Sequence, residues 1–146
     1  MRFSHIRGIS TKLKISWVSS ILILSFKIYE IIIDEDALEG ASDELKADKE
    51  VVLAAINCDG LALQYASNEL KADKEVALAA VKNTGYALEF ASDELKADKE
   101  VVTTAVNNAG DALAYASHKF KADKEVVMLA VSNIGYALAY ADDAFK

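Results

Sequence analysis

Apolar and polar positions along this chain return at a fixed interval. Leu45-Lys-Ala-Asp-Lys-Glu-Val recurs from Leu70, from Leu95 and, with phenylalanine first, from Phe120, a period of 25 residues. Four units follow without insertion, 45–69, 70–94, 95–119 and 120–144, and a partial unit at 37–44 precedes them. In each unit an aspartate (Asp48, Asp73, Asp98, Asp123) is placed to accept hydrogen bonds from the unpaired first-turn amides of a helix. A glutamate two residues later favours the positive end of that helix. The stripe Val51, Val52, Ala55, Ile56 and its copies then predict a buried face.

The first helix is expected to stop at Gly60, Gly85, Gly110 and Gly135, with glycine entering the left-handed cap conformation. A second helix is expected over Ala62, Leu63, Tyr65 and Ala66 and their copies, running on towards the next unit's Leu70. Ser67, Ser92 and Ser117 either cap one extra turn or break that helix; spacing leaves both open. A helix pair this small cannot cover both its faces, so the units must stack and share a core. The fold class predicted is all-α, a short α-solenoid of 25-residue helix-turn-helix repeats with an N-terminal hydrophobic helix.

The strings "LKADKEVVLAAI" and "GLALQYASNELKADKEV" resemble the tandem repeats of domain of unknown function 4116 over residues 37–146. The resemblance implies a helical repeat. It carries no established activity, so no catalytic or binding residue follows from it.

Composition changes the picture chiefly at the amino terminus. Residues 1–33 hold five basic residues (Arg2, Arg7, Lys12, Lys14, Lys27) and Glu30, a net +4, whereas residues 34–146 hold eleven lysines and 22 acids, a net −11. A boundary near Asp34 is expected, with 34–146 as the repeat domain. Ile15–Ile33 is largely apolar but contains Lys27 and Glu30, and the charge-free run Ile15–Phe26 is too short to span about 30 Å of hydrocarbon. Three readings of 1–33 stand: a cap helix on the first repeat, a targeting signal, or a membrane anchor through residues 15–33. A cytoplasmic location is favoured, with targeting or membrane association open.

Candidate chemistry is sparse. The acidic body repels polyanions, so nucleic acid is not expected as a partner. One cysteine, Cys58, cannot form an intrachain disulfide or a thiolate metal cage. Asp34-Glu35-Asp36 fails the calcium-loop pattern at positions five and six. His118 and Cys58 sit at varying positions and read as surface residues, and the Lys-x-Asp-Lys-Glu clusters as a charged ridge with weak ion pairs. No catalytic residue, metal or cofactor is expected, and no enzyme activity.

Positions that vary between units are free to specify a partner. They are Asn57/Lys82/Asn107/Ser132, Asp59/Thr84/Ala109/Ile134, Leu61/Tyr86/Asp111/Tyr136 and Gln64/Glu89/Ala114/Ala139. A noncatalytic scaffold for a protein partner is therefore expected. Tyr86, Tyr136, Leu61, Asp111 and Lys82 are the contact candidates, with the two tyrosines as anchors unless they merely lid the turn. The last unit carries no polar cap, so self-association through its open stacking edge is a further expectation.

Overall fold

The structure, a computed structural model, describes residues 38–146. The amino-terminal expectations, including the apolar segment 15–33, lie outside the described residues. Within them 76% of residues are helical and no strand occurs. Three elements recur with each repeat: a short α-helix such as Asn68–Lys71, which bridges the first and second units, a long α-helix such as Lys74–Asn83 and a 3-10 helix such as Gly85–Phe90. The other long helices are Lys49–Cys58, Lys99–Asn108 and Lys124–Asn133.

The long helices start where the sequence says they should. Asp48 Oδ1 accepts from the Glu50 and Val51 amides at 3.0 and 3.3 Å, and Asp73, Asp98 and Asp123 repeat the pattern. The serines resolve in favour of capping. Ser67 and Ser92 Oγ accept from the Leu70 and Leu95 amides, each at 3.4 Å. Ser117 makes no such bond, and its buried Oγ has no partner among the described residues. Lys119 stands there in place of Glu69 and Glu94, whose carboxylates bond the serines of their own units.

The second element differs from the α-helix expected. Gly60–Tyr65 and its copies are 3-10 helices, in which residues three apart eclipse one another. Gly60 and Leu63 therefore line one edge, and both are buried. The backbone then returns to its own unit: the Ser67 amide donates to the Lys46 carbonyl at 2.8 Å, and Ser92, Ser117 and Asp142 do the same to Lys71, Lys96 and Lys121.

The glycine expectation is corrected. None of Gly60, Gly85, Gly110 and Gly135 adopts a left-handed backbone; each opens its 3-10 helix after an extended residue. What excludes a side chain is the next unit. A Cβ on Gly60 would lie 2.5 Å from the Ala80 carbonyl oxygen and 2.9 Å from Thr84 Cβ, and Gly85 meets Ala105 and Ala109 at the same distances. These contacts are backbone and short side chain, which cannot yield cheaply, so glycine sets how closely two units approach.

Stacking yields one continuous apolar core from Leu38 to Ala141. Each inner long helix packs on the long helices of both neighbouring units. Val76, Ala77, Ala80, Val81 and Leu88 are fully buried, and the aromatic position Tyr65, Phe90, Tyr115, Tyr140 is half-buried against this core.

Candidate interaction surface

Three sets of polar contacts cross from unit to unit and hold the frame on which any surface is displayed. The first is ionic: Lys49 Nζ reaches Asp73 at 2.8 Å and Glu75 at 2.7 Å, Lys74 reaches Asp98 and Glu100 at 2.9 Å, and Lys99 reaches Glu125 at 2.6 Å. The ridge expected from sequence is thus a set of bonds between units. The bond from Lys49 holds the Asp73 carboxyl below the usual range, and Lys74 does so for Asp98.

The second set was not anticipated. Asn83 Oδ1 accepts from the Gly60 amide at 3.0 Å while its Nδ2 donates to the Asn57 carbonyl at 3.2 Å. Asn108 repeats this on Gly85 and Lys82 at 2.7 and 3.0 Å, and Asn133 Nδ2 reaches the Asn107 carbonyl at 2.9 Å. The available signal was an asparagine recurring two residues before each glycine, with Cys58 as the exception in the first unit. The residue 23 positions before Cys58 is Glu35 rather than a glycine, and it lies outside the described residues.

The third set lies in the row of varying residues. Tyr86 Oη donates to Asp111 Oδ2 at 2.7 Å across one repeat step, which raises the Tyr86 phenol above the usual tyrosine range. Two of the five contact candidates are therefore bonded to each other. Tyr136 stands further along the row and meets the Tyr140 ring edge-on, with centroids 5.8 Å apart. Tyr86 and Tyr136 are 41% and 67% exposed, while Leu61 and Asp111 are half-buried.

Lys82 is placed elsewhere. With Asn57, Glu75, Leu78, Ala79 and Asn83 it lines a shallow open groove between the first two long helices. A groove at the corresponding level of the last two is lined by Thr103, Glu125, Val126, Met128, Leu129 and Ser132. Not every varying position is free surface: Thr84, Ala109 and Ile134 pack against Gly60, Gly85 and Gly110, so variation there tunes stacking. His118 and Cys58 are exposed. Among the described residues no group of three or more His, Cys, Asp or Glu could hold a metal ion, and no helix is long and apolar enough to cross a membrane.

No curated protein and no solved structure matches this chain. The family model described as a domain of unknown function, DUF4116, matches residues 31–71, 48–96 and 98–146, each match spanning about two units. Those matches take in most of the chain, and their succession along it agrees with the stacked units seen in the fold; the chain belongs to the DUF4116 family of tandem helical repeats.

Proposed function

We propose that this chain is a noncatalytic scaffold for protein–protein contact, binding through the row Leu61, Tyr86, Asp111, Tyr136. The observation that carries the reading is the Tyr86–Asp111 bond, which joins the row across a repeat step while the backbone frame beneath it stays constant. A row of this kind can change its chemistry from unit to unit without disturbing the stack. Aromatic rings supply contact area at low entropic cost, and a tyrosine hydroxyl adds a directional bond. Lys82 and its groove extend the same side-chain variety to the face of the long helices.

The test is affinity capture with the full chain as bait against a Tyr86→Ala/Tyr136→Ala variant of unchanged circular dichroism. Loss of a specific captured protein with the variant supports the row as the interface. Equal capture by both baits, or capture of nothing, counts against it. A second reading, tethering or targeting through the basic and apolar residues 1–33, rests on their +4 charge and charge-free Ile15–Phe26 run. A diffuse reporter fused to residues 1–36 would eliminate it.

A further inference from the structure

The stretches that form the 3-10 helices differ in chemistry from the rest of the repeats. Residues 59–66, 84–91, 109–116 and 134–141 hold five of the chain's six tyrosines and three acids, Asp59, Glu89 and Asp111, but no lysine, arginine or histidine. Asp59 is engaged in capping its own 3-10 helix through the Leu61 amide at 2.9 Å. Glu89 and Asp111 pair with no cation among the described residues, whereas the starts of the long helices match lysine to carboxylate from unit to unit.

Both of these carboxylates sit where the second unit meets the third. Tyr86 Oη donates to Asp111 Oδ2 at 2.7 Å across the junction. In the opposite sense, Glu89 of the second unit bears on Tyr115 of the third, whose phenol is raised first by burial and then by that carboxylate. The Tyr86 phenol is raised by Asp111 and also feels Tyr115, so the four groups form one neighbourhood. A complete unit lies on either side of this junction, and Tyr86 is nevertheless 41% exposed and Glu89 exposed. The surface is open in the middle of the stack.

Aromatic faces beside carboxylates that lack a counter-charge select a cation, and a planar one best. A guanidinium stacks on a phenol ring and forks onto a carboxylate, whereas an ammonium is a point charge without that fork. Asp111 accepts one side-chain bond of the roughly four that its two oxygens can take. A neutral or acidic partner would instead desolvate both carboxylates without compensation. We propose that the Tyr86–Asp111 and Glu89–Tyr115 pairs form a binding site for arginine side chains carried on a segment of a protein partner. The proposal rests on reading the varying row as an interface, and it names the chemistry of what docks there.

The test titrates the isotopically labelled full chain with the capped peptide Gly-Arg-Gly-Arg-Gly and with its citrulline counterpart, which keeps a planar side chain without the charge. Saturable shifts centred on Tyr86, Glu89, Asp111 and Tyr115 are expected with arginine and none with citrulline. Glu89→Gln/Asp111→Asn should weaken binding about tenfold or more, and Tyr86→Leu about two- to fivefold, at unchanged circular dichroism. Asp43→Asn/Asp93→Asn removes the same charge from exposed positions on the short helices and should leave binding within about twofold. No saturable binding by about 10 mM peptide, equal binding of the citrulline peptide, or equal losses in the two double variants would each overturn the proposal. Shifts at the same four residues on Arg2→Gln/Arg7→Gln without peptide would also overturn it, because the chain's own arginines would then fill the site.

Affinity capture separates this proposal from the reading beneath it. A captured protein lost with Tyr86→Ala/Tyr136→Ala but retained with Glu89→Gln/Asp111→Asn keeps the row as an interface and overturns the arginine chemistry. Peptide binding at the site with no captured protein supports that chemistry and removes the scaffold reading alone.

Discussion

Gly85 and Gly135 are the same residue at the same register with different surroundings. A Cβ on Gly85 collides with the Ala105 carbonyl oxygen at 2.5 Å, whereas one on Gly135 meets nothing within 4 Å. Gly85→Ala should therefore destabilise the protein by about 1–3 kcal/mol, the usual cost of overpacking a junction that must spread. Gly135→Ala should stay within about 0.5 kcal/mol of the parent. Urea denaturation of the two variants decides it, and equal losses would restore a purely conformational role for both glycines. A second residue-scale prediction concerns Tyr86. Its phenol is raised by the hydrogen bond to Asp111, so the stability it contributes is fully present below the ordinary tyrosine pKa of about 10 and is lost as pH rises through the folded value. Asp111→Ala should bring the Tyr86 titration back towards the ordinary value, read by pH titration of its ring resonances.

At the scale of elements, the start of each long helix has two tasks. Asp73 and Asp98 cap their own helices and also receive a lysine from the preceding unit. Both carboxyls are held low, first by the lysine and also by the capped amides. A depressed folded pKa gives stability that is complete above the unfolded aspartate value, about 3.9, and falls as pH drops through the folded value. The urea midpoint should accordingly decline below about pH 4. Lys74→Met should flatten that decline without abolishing it, because the capping amides remain. The Lys74–Asp98 bond is open to solvent, so the gap between parent and Lys74→Met should shrink in molar salt; a gap that persists there would mean the lysine acts by packing its stem.

Across the whole molecule, stability should depend on where in the stack a side chain lies. Leu88 and Leu138 occupy equivalent positions, but only Leu88 is covered by a following unit. Leu88→Ala should cost about 2–5 kcal/mol, and Leu138→Ala about 1 kcal/mol or less, measured by thermal or urea unfolding. Equal costs would mean that units are stabilised internally rather than by their neighbours, against the nearest-neighbour energetics of stacked repeats.

Much of this was legible before any coordinates, because it is local. The Asp48-type caps, the Val51-Val52-Ala55-Ile56 stripe and the 25-residue period all follow from spacing along the chain, or from the need to cover an apolar face. The role of glycine was not legible, since a helix-stopping glycine and a clearance glycine are the same letter. The approach of a carbonyl 20 residues further on distinguishes them. The asparagine bridges, the Lys49–Asp73 bond and the Tyr86–Asp111 pair likewise join residues 23 to 26 positions apart. Periodicity shows that such residues share a register, but a hydrogen bond depends on ångström-scale separation. That separation is set by how closely the packed core lets one unit settle on the next.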